Sequence, residues 1–318
     1  MTIRFICAVI IFLVHVHTTY AESIRDYVMG REDGSTIHYY LLQPSTASAS
    51  DTLLLILQGS DCNSVLQVEA IFSDYRNVWP EADVLLIEKY GIDKALNFSA
   101  DVERSDCPSQ YLKNDSPQQR VADIEAVLAG VRQRGRYPNL IVLGGSEGAA
   151  VANMVATKVD GVSATVAFNG GGRWFIDDVF HSIAASAEDS ADVEEAVNSF
   201  SGFSRHILNS PPSDLVVSGH GYKWWNEMLS LDQLALLGAV DSPLLIVQGG
   251  RDLSVSPKKV DELVAALSKA GKDNIEYRKY EELDHRLSDP HGVSQRSVVV
   301  KNINRWLRAT IGGSKARE

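Results

Sequence analysis

The sequence predicts an α/β fold in which a mostly parallel sheet is flanked by helices on both faces. Three apolar runs without alternation carry this prediction, at Thr52–Leu57, Leu140–Leu143 and Pro243–Gly250. Stretches with helical spacing of apolar residues, such as Gln118–Arg134, lie between them. Strands have such unbroken apolar sequences when helices cover both faces of the sheet. The alternation of strands and helices therefore indicates α/β architecture.

The remaining elements follow from local patterns along the chain. An Asp33-Gly34 turn between the strand-like runs Tyr27–Gly30 and Thr36–Leu42 predicts an N-terminal β-hairpin. Further strands are predicted at Ala82–Glu88, Ala164–Phe168 and Asn274–Tyr280, and further helices at Ser64–Tyr75, Ser254–Gly271 and Gln295–Ile311.

The composition is that of a globular protein with one large body or a body that carries an insertion. The chain has 318 residues, of which 45% are hydrophobic and 22% are charged. Its formal net charge is -11 and its pI is ≈ 5.2. An acidic balance of this size argues against nucleic acid or an anionic membrane surface as the main partner.

The N-terminus has the pattern of a secretory signal peptide. A short basic start, Met1–Arg4, precedes the apolar run Phe5–Val14, and small residues lead to a cleavage site after Ala21. We therefore expect residues 1–21 to be removed and the mature protein to be secreted or periplasmic. The alternative, a membrane anchor, is disfavoured because the run is short for a bilayer span, so no stable membrane span is expected in the mature chain.

The cysteines fit an exported protein. Cys7 lies in the predicted signal peptide, which leaves Cys62 and Cys107 in the mature chain. An even number of cysteines in an oxidising compartment favours one disulfide between them. Two unrelated free thiols are the alternative interpretation.

One stretch combines a strand, a tight turn and a helix around a single serine. The run Leu140–Leu143 continues into Gly144-Gly145-Ser146-Glu147-Gly148 and then into an alanine-rich helical pattern. A serine on a strained strand-to-helix turn leaves no room for side chains two positions before and after it, and Gly144 and Gly148 meet this need. The pentapeptide alone can occur by chance, but its strand and helix context favours a nucleophile.

Two further polar residues follow predicted strands. Asp252 comes after the strand in Pro243–Gly250, and His285 follows the strand that ends at Tyr280. Because the carboxyl ends of parallel strands share one crevice, Ser146, Asp252 and His285 are expected to meet there. As alternatives, Asp252 could cap the following helix, and His291 could replace His285.

These motifs resemble the α/β-hydrolase superfamily, and most closely the dienelactone hydrolases and the catalytic domains of prolyl-oligopeptidase-type peptidases. Gly-Gly-Ser-x-Gly is common in that branch, and the segment Gly249–Asp252 followed by Pro257 is similar to its acid loop. The chain order Ser146, Asp252, His285 is also the order of the superfamily. The resemblance implies a triad in which His285 takes the serine proton and Asp252 orients the imidazole.

The resemblance also implies an oxyanion hole and a cap. The backbone N–H groups of Ser60 and Glu147 would stabilise the oxyanion. Residues 173–240 would form a mainly helical cap over a core made of 22–172 and 241–318. Tyr90, Trp224 and Trp225 are candidates for the substrate pocket, although packing within the core or the cap is an equally good explanation. The spacing of the histidines suggests no metal site, and no cofactor is implied.

We therefore expect a serine hydrolase that cleaves a carboxylic ester, thioester or amide of a small-molecule or acylated substrate through an acyl-enzyme intermediate. A serine peptidase is the second choice, and the long β-rich domain that prolyl oligopeptidases carry before the catalytic part is not seen in this sequence. An acyltransferase and a non-catalytic binding protein of the same fold are further alternatives. The sequence leaves the substrate and the oligomeric state open.

Overall fold

The structure, a computed structural model, describes residues 23–44, 50–101, 104–134, 137–187 and 189–312. The predicted signal peptide lies outside the described residues. The strands are β1 (Ser23–Gly30), β2 (Thr36–Gln43), β3 (Thr52–Leu57), β4 (Asp83–Ile87), β5 (Asn139–Gly145), β6 (Val162–Phe168), β7 (Val216–Val217), β8 (His220–Gly221), β9 (Leu244–Gly249) and β10 (Ile275–Tyr280). The α-helices are α1 (Glu69–Ser73), α2 (Ser109–Asn114), α3 (Pro117–Arg134), α4 (Glu147–Lys158), α5 (Phe175–Ser186), α6 (Ser190–Asn209), α7 (Tyr222–Ser230), α8 (Gln233–Gly238), α9 (Pro257–Lys269) and α10 (Arg296–Gly312).

Eight of these strands form one sheet in the order β1-β2-β4-β3-β5-β6-β9-β10. β1 and β2 form the predicted antiparallel hairpin, and β2 also pairs antiparallel with β4. All other neighbours in the sheet are parallel. The predicted α/β fold with a mostly parallel sheet is therefore confirmed.

The core lies on both faces of the sheet. In β3, Leu54 and Ile56 pack on the face that is covered by α10 and the segment 65–79. Leu53 and Leu55 point to the other face, where they pack against α3 and α4. Because every residue of β3 is buried, its sequence has no polar alternation. Burial of a leucine side chain stabilises the fold by roughly 1.5–3 kcal/mol.

The strand register brings the carboxyl ends of the parallel strands to one edge. Neighbouring strand ends are paired as follows: Leu57 with Gly144, Gly145 with Phe168, Phe168 with Val247, and Gly249 with Tyr280. The loops after β3, β5, β6, β9 and β10 therefore open on the same crevice, as expected for ligand sites in parallel sheets.

The segment between β6 and β9 is mainly helical, as the sequence predicts for the cap. It contains α5 to α8 and the small β7-β8 ribbon. Trp225 and Ile207 are buried in its own apolar cluster. Leu237 of α8 instead packs with Leu244 and Leu263 of the core. The cap boundaries at 173 and 240 stay a prediction, with α8 resting on the core.

The helix predicted over Ser64–Tyr75 is broken into three short pieces. A 3-10 turn at Val65–Gln67 precedes α1, and a second 3-10 turn follows at Tyr75–Val78. Val68 has φ -81° and ψ 89°, which interrupts the helical backbone between the first two pieces. None of the helices in the described part of the chain has the length and apolar composition that a bilayer-spanning segment needs.

Candidate active site

Ser146 stands at the turn between β5 and α4 in a strained backbone conformation. Its φ is 55° and its ψ is -128°, a backbone conformation that residues other than glycine rarely adopt. A Cβ on Gly144 would lie 2.0 Å from the carbonyl oxygen of Gly148, and a Cβ on Gly148 would lie 2.4 Å from the carbonyl oxygen of Leu57. The two glycines are thus sterically required, as predicted from the motif.

The Ser146 hydroxyl is not used to cap the helix that follows it. Ser146 occupies the N-cap position of α4, but its side chain makes no capping hydrogen bond. The backbone is fixed instead, because Ser146 N–H donates to Phe168 O at 3.0 Å and Ser146 O accepts from Ala149 N–H at 2.9 Å. The side chain thus sits beside the positive end of a helix dipole, where negative charge is favoured.

His285 and Asp252 are paired by a hydrogen bond of 2.8 Å between Nδ1 and Oδ2. Asp252 is only 1% exposed. Its Oδ1 accepts from the N–H groups of Ser254 and Val255, at 2.9 and 2.8 Å, and its Oδ2 lies 3.2 Å from Gln248 Nε2. These donors fix the carboxylate so that it faces the imidazole.

The sequence left two alternatives open, Asp252 as the cap of α9 and His291 in place of His285, and the structure shows neither. The cap of α9 is Ser256, whose Oγ accepts from Lys259 N–H at 3.3 Å, whereas Asp252 binds the turn before it. His291 is exposed, in a turn stabilised by Asp289. The structure pairs Asp252 with His285.

Asn169 holds the histidine loop against the sheet, and the sequence analysis missed it. Its Nδ2 donates to His285 O at 2.8 Å, and its Oδ1 accepts from Gly249 N–H at 2.9 Å. Asn169 has φ 50° and is almost fully buried. Asparagine is among the few non-glycine residue types that adopt such a conformation. An asparagine directly after a predicted strand was therefore the sequence feature that could have identified this residue.

Two side chains of α5 also contact the acid loop. His181 Nε2 lies 2.9 Å from Asp252 O. Asp178 accepts from Ser256 N–H at 2.9 Å and from Gly172 N–H at 3.2 Å. Burial raises the pKa of Asp178 to about 7 from its ordinary 3.8, against the opposing effect of these two donors. The first cap helix is therefore attached to the acid loop by a side chain at either end of one helical turn.

Ser146 and His285 line the same cavity, which has a volume of about 230 Å³. Trp224 also lines it, at the position predicted for a pocket residue. The other lining residues are Ser60, Glu147, Asn169, Gly170, Phe175, Asp178, Val179, Ser182, Met228, Ser254 and Val255. The crevice at the strand ends is thus closed on one side by α5 and α7.

The predictions for Tyr90 and Trp225 need correction, since neither residue lines this cavity. The Tyr90 hydroxyl donates to Asp33 Oδ2 at 2.6 Å, and the Arg31 guanidinium lies 4.1 Å from the ring centre. Trp225 packs edge-on against Phe203, with ring centres 5.1 Å apart, and belongs to the interior of the cap. Tyr90 is bound to the hairpin turn, and Trp225 packs among the aromatic residues of the cap.

The two residues predicted to supply the oxyanion hole, Ser60 and Glu147, both line the cavity. The loop after β3 closely approaches the nucleophile, because a Cβ on Gly59 would lie 3.3 Å from Ser146 Cβ. The predicted disulfide between Cys62 and Cys107 is present just after this loop. The structure therefore places both residues at the cavity that Ser146 lines, and their role as oxyanion donors stays a prediction.

The Glu147 side chain lies in a buried group of charges that sequence reasoning did not find. Its Oε1 accepts from Arg120 Nη1 at 2.5 Å, and its Oε2 accepts from Trp224 Nε1 at 2.9 Å and lies 3.8 Å from Lys89 Nζ. Burial alone would raise the pKa of Glu147, but the two cations hold it below its usual value. The carboxylate is therefore ionised inside the protein.

His220 stacks on Trp224, with ring centres 3.7 Å apart. Burial lowers the pKa of His220 to about 4, so the imidazole is neutral at pH 7.

Among the residues that the structure describes, no group of three or more His, Cys, Asp and Glu side chains is arranged to hold a metal ion.

A mostly parallel sheet with a serine on a strained strand-to-helix turn defines an α/β-hydrolase. The profile of the prolyl oligopeptidase family matches residues 109–314, and the chain belongs to this family. It is therefore a serine hydrolase of the dienelactone hydrolase and prolyl oligopeptidase type. No curated protein sequence matches the chain significantly.

Solved structures with the same fold include both esterases and a peptidase. An esterase of Pyrococcus furiosus matches with a TM-score of 0.60 and 16% identity, over 92% of each chain. Est1E of Butyrivibrio proteoclasticus matches with a TM-score of 0.59 and 13% identity, over 90% of this chain and 99% of its own. An acylaminoacyl peptidase of Pyrococcus horikoshii matches with a TM-score of 0.58 and 13% identity, over 90% of this chain but only 41% of its own.

Proposed function

We propose that this protein hydrolyses a carboxylic ester of a small, neutral acyl group through an acyl-enzyme on Ser146. The observation that carries the proposal is the 2.8 Å pair of His285 and Asp252, whose imidazole lines the same cavity as the serine. Serine is a weak nucleophile without an adjacent base. An oriented imidazole beside it supplies that base.

The reaction divides into two displacements at the carbonyl carbon. In the first, His285 Nε2 takes the proton of Ser146 Oγ as the oxygen attacks, and the N–H groups of Ser60 and Glu147 stabilise the oxyanion. The oxyanion then collapses, the bond to the alcohol oxygen breaks, and the imidazolium protonates the leaving alcohol. In the second displacement, water attacks the acyl-enzyme with His285 as general base, the bond between the acyl carbon and Ser146 Oγ breaks, and the imidazolium returns its proton to Oγ as the acid is released.

The walls of the cavity support a small apolar acyl group. Phe175, Val179 and Met228 form one side with Trp224, and the volume is about 230 Å³. Among the described residues that line it, none is a lysine or an arginine. An acyl group with its own carboxylate would find no lysine or arginine there to balance its charge and would face Asp178, so its binding would be unfavourable.

The acyl group could also be aromatic. Est1E, which shares the fold, has been solved with ferulic acid bound. The rings of Phe175 and Trp224 meet edge to face, with centres 5.6 Å apart, and line the same cavity. Such surfaces accept flat apolar groups. A hydroxycinnamoyl ester therefore belongs in the substrate panel.

A peptidase is the second candidate, because the family match and the similarity to an acylaminoacyl peptidase favour amide cleavage. The two activities are separated by p-nitrophenyl esters of increasing acyl length, with a hydroxycinnamoyl ester, against aminoacyl p-nitroanilides. We expect the short and aromatic esters to have the highest kcat/KM. A preference for the anilides would reject the ester proposal.

The nucleophile is tested with a fluorophosphonate probe. The wild type should be labelled and Ser146→Ala should not, because the probe reacts only with an activated serine. Ser186→Ala is the matched control, since Ser186 is an exposed serine on α5. Labelling of Ser146→Ala, or no labelling of the wild type, would contradict the proposed triad.

We also propose that the protein is exported, with cleavage after Ala21. The disulfide between Cys62 and Cys107 supports this proposal, because such bonds persist mainly in oxidising compartments. The intact mass of the protein collected outside the cytoplasm should correspond to a chain that begins at Glu22. A full-length chain that stays with the cells would contradict it.

A further inference from the structure

We propose that Lys89 is a positioning residue of the oxyanion hole, which orients and polarises the peptide bond between Gly59 and Ser60. This inference rests on the proposed ester hydrolysis, in which the Ser60 N–H faces the oxyanion. Lys89 lies two residues after β4, is 2% exposed, and has no part in the proton transfers at Ser146 and His285.

The proposed role of Lys89 follows from the geometry of one peptide unit. Lys89 Nζ donates to Gly59 O at 2.6 Å. The carbonyl of Gly59 and the N–H of Ser60 belong to the same planar group, and in a trans peptide they point in opposite directions. The described residues contain no cis peptide bond. A cation that fixes the carbonyl on one side therefore fixes the direction of the N–H on the other, where Ser60 lines the cavity.

A second hydrogen bond restrains the loop beyond Ser60. Lys89 Nζ also donates to Asp61 O at 2.8 Å. The ammonium group thus binds the carbonyls on both sides of Ser60, and the peptide cannot rotate without breaking a charge-assisted hydrogen bond. A positive charge on the carbonyl also draws electrons from the amide, which makes its N–H a stronger donor.

The charge of Lys89 is balanced by the residue that carries the other proposed donor. Glu147 Oε2 lies 3.8 Å from Lys89 Nζ. Arg120 also belongs to the group, because Nη1 binds Glu147 Oε1 at 2.5 Å and Nη2 donates to Gln58 O at 3.0 Å. The buried carboxyl of Asp115 interacts with the same two cations. Lys89 and Arg120 therefore connect the Glu147 side chain to the loop after β3, which carries the Ser60 N–H.

The Ser146–Glu147 peptide is held in a different way. Its carbonyl, Ser146 O, accepts from Ala149 N–H inside the first turn of α4. The helix therefore orients the Glu147 N–H without help from a side chain. The loop after β3 has no helix at this position. Gly59 O accepts the Asp61 N–H at 3.2 Å, and the shorter bond from Lys89, at 2.6 Å, adds the restraint that the helix provides for Glu147.

The test compares Lys89→Met with Lys94→Met. Methionine keeps much of the length of the side chain but cannot bind the carbonyls. Lys94 is the control because it is a lysine five positions further on whose side chain is 61% exposed. The measurements are kcat and KM for the best ester of the panel, and the affinity for a trifluoromethyl ketone with the same acyl group, which forms an oxyanion on the enzyme.

We expect Lys89→Met to lower kcat by roughly 10- to 100-fold, less than or equal to the loss of a whole oxyanion donor. KM should change by less than about 3-fold, because a donor aimed at the oxyanion acts mainly in the transition state. The affinity for the ketone should fall by the same factor as kcat, and Lys94→Met should match the wild type in every measurement.

Lys89→Gln separates orientation from charge and serves if Lys89→Met does not fold. Its amide can donate to Gly59 O without a positive charge, so we expect a kcat between those of the wild type and Lys89→Met. Where only Lys89→Gln folds, its kcat and ketone affinity should both fall by at least about 3-fold relative to Lys94→Met.

The outcomes distinguish this inference from the proposed function. An active wild type, with kcat and ketone affinity unchanged in the folded Lys89 variant, overturns the role of Lys89 alone. A fall in kcat without a fall in ketone affinity overturns it too, because the lysine would then act elsewhere. A wild type that hydrolyses no ester overturns the proposed function, and the present inference with it.

Discussion

The two sides of the candidate nucleophile are built from different interactions. On one side, which we call the imidazole side, His285 is paired with the Asp252 carboxylate. Backbone N–H groups hold that carboxylate, and the neutral amide of Asn169 holds the His285 loop. The His285 side chain remains 26% exposed there. On the other side, which we call the oxyanion side, Lys89 and Glu147 belong to a buried group of charges.

This difference matches what each side has to do in the proposed reaction. The imidazole gains and loses a proton in every turnover, so its surroundings must tolerate both charge states. The oxyanion donors keep the same charge throughout and only need a fixed direction. Buried ion pairs suit the second task because breaking them is costly. For the first task, the imidazole has one carboxylate partner, Asp252, and neutral donors hold that carboxylate in place.

The largest effect is expected from a change on the imidazole side. Asp252→Asn should lower kcat by roughly 10⁴-fold, because an amide beside Nδ1 favours the wrong tautomer of His285. The fold should be retained, since the asparagine oxygen can still accept from Ser254 and Val255. Steady-state kinetics with a circular dichroism spectrum checks this, and Asp241→Asn, at a fully exposed side chain, is the control. A loss below about 10-fold would contradict the acid assignment.

The next largest effect is expected on the oxyanion side, and it concerns stability. Glu147→Gln removes the carboxylate in direct contact with Lys89 and Arg120 and leaves only the buried carboxyl of Asp115 near them, so the free energy of unfolding should fall by about 3–5 kcal/mol. Chemical denaturation measures this change. Glu262→Gln is the control, because Glu262 forms an exposed ion pair with Lys259, and we expect it to change stability by less than about 1 kcal/mol. Equal effects of the two substitutions would remove the contrast between buried and exposed charges.

The free energy of unfolding should depend on pH through Asp178, which contacts the acid loop on the imidazole side. The pKa of Asp178 is about 7 in the folded protein against an ordinary 3.8, so between these values the native state holds a proton that the unfolded chain has lost. The stabilising effect of this proton is complete below pH 3.8 and is lost as the pH rises through 7. At about 1.4 kcal/mol per pKa unit, the change is at most about 4 kcal/mol.

The substitution Asp178→Asn isolates this contribution. The free energy of unfolding of the wild type minus that of the variant should fall as the pH rises from 4 to 8, because only the wild type loses the stabilising proton. Asp177→Asn, at the neighbouring and more exposed carboxylate, removes a charge that contributes less to the raised pKa of Asp178 than burial does, so most of the pH dependence should remain. A parallel pH dependence in wild type and Asp178→Asn would mean that Asp178 is already ionised at low pH.

The smallest of these effects concerns the disulfide next to the oxyanion side. Replacing Cys62 and Cys107 by serine opens a loop of 45 residues, and the free energy of unfolding should fall by about 3 kcal/mol. Because Cys62 follows directly after the loop 58–61, kcat should fall more than the reactivity of His285 towards an alkylating agent. Equal losses would show that the two sides respond together.

The sequence predicts the catalytic arrangement better than its supports. Ser146, Asp252 and His285 each follow a predicted strand, and the order of strand ends is set by patterns that span only a few residues. Glycine spacing around the serine is equally local, because the steric conflict at Gly144 and Gly148 arises within one turn. Local patterns of this kind are what sequence reasoning can detect.

The supports depend on contacts between distant parts of the chain. Arg120 and Gln58 are 62 positions apart. Arg120 lies in α3, whose apolar residues are enough to account for the sequence as an ordinary amphipathic helix. Nothing local distinguishes a buried arginine from an exposed one. The position of Tyr90 was open in the sequence for the same reason, since its hydrogen-bond partner Asp33 lies 57 positions away. The break in the helix at Val68 also depends on tertiary packing.

The positive φ of Ser146 has a consequence for protein engineering. A non-glycine residue in this conformation costs of the order of 1–3 kcal/mol, and the surrounding sheet and helix must impose it. Glycine at the same position would relieve that cost. A laboratory selection for heat resistance alone would therefore enrich variants that have exchanged their reactive group for a relaxed backbone, and any such campaign needs an activity screen alongside it.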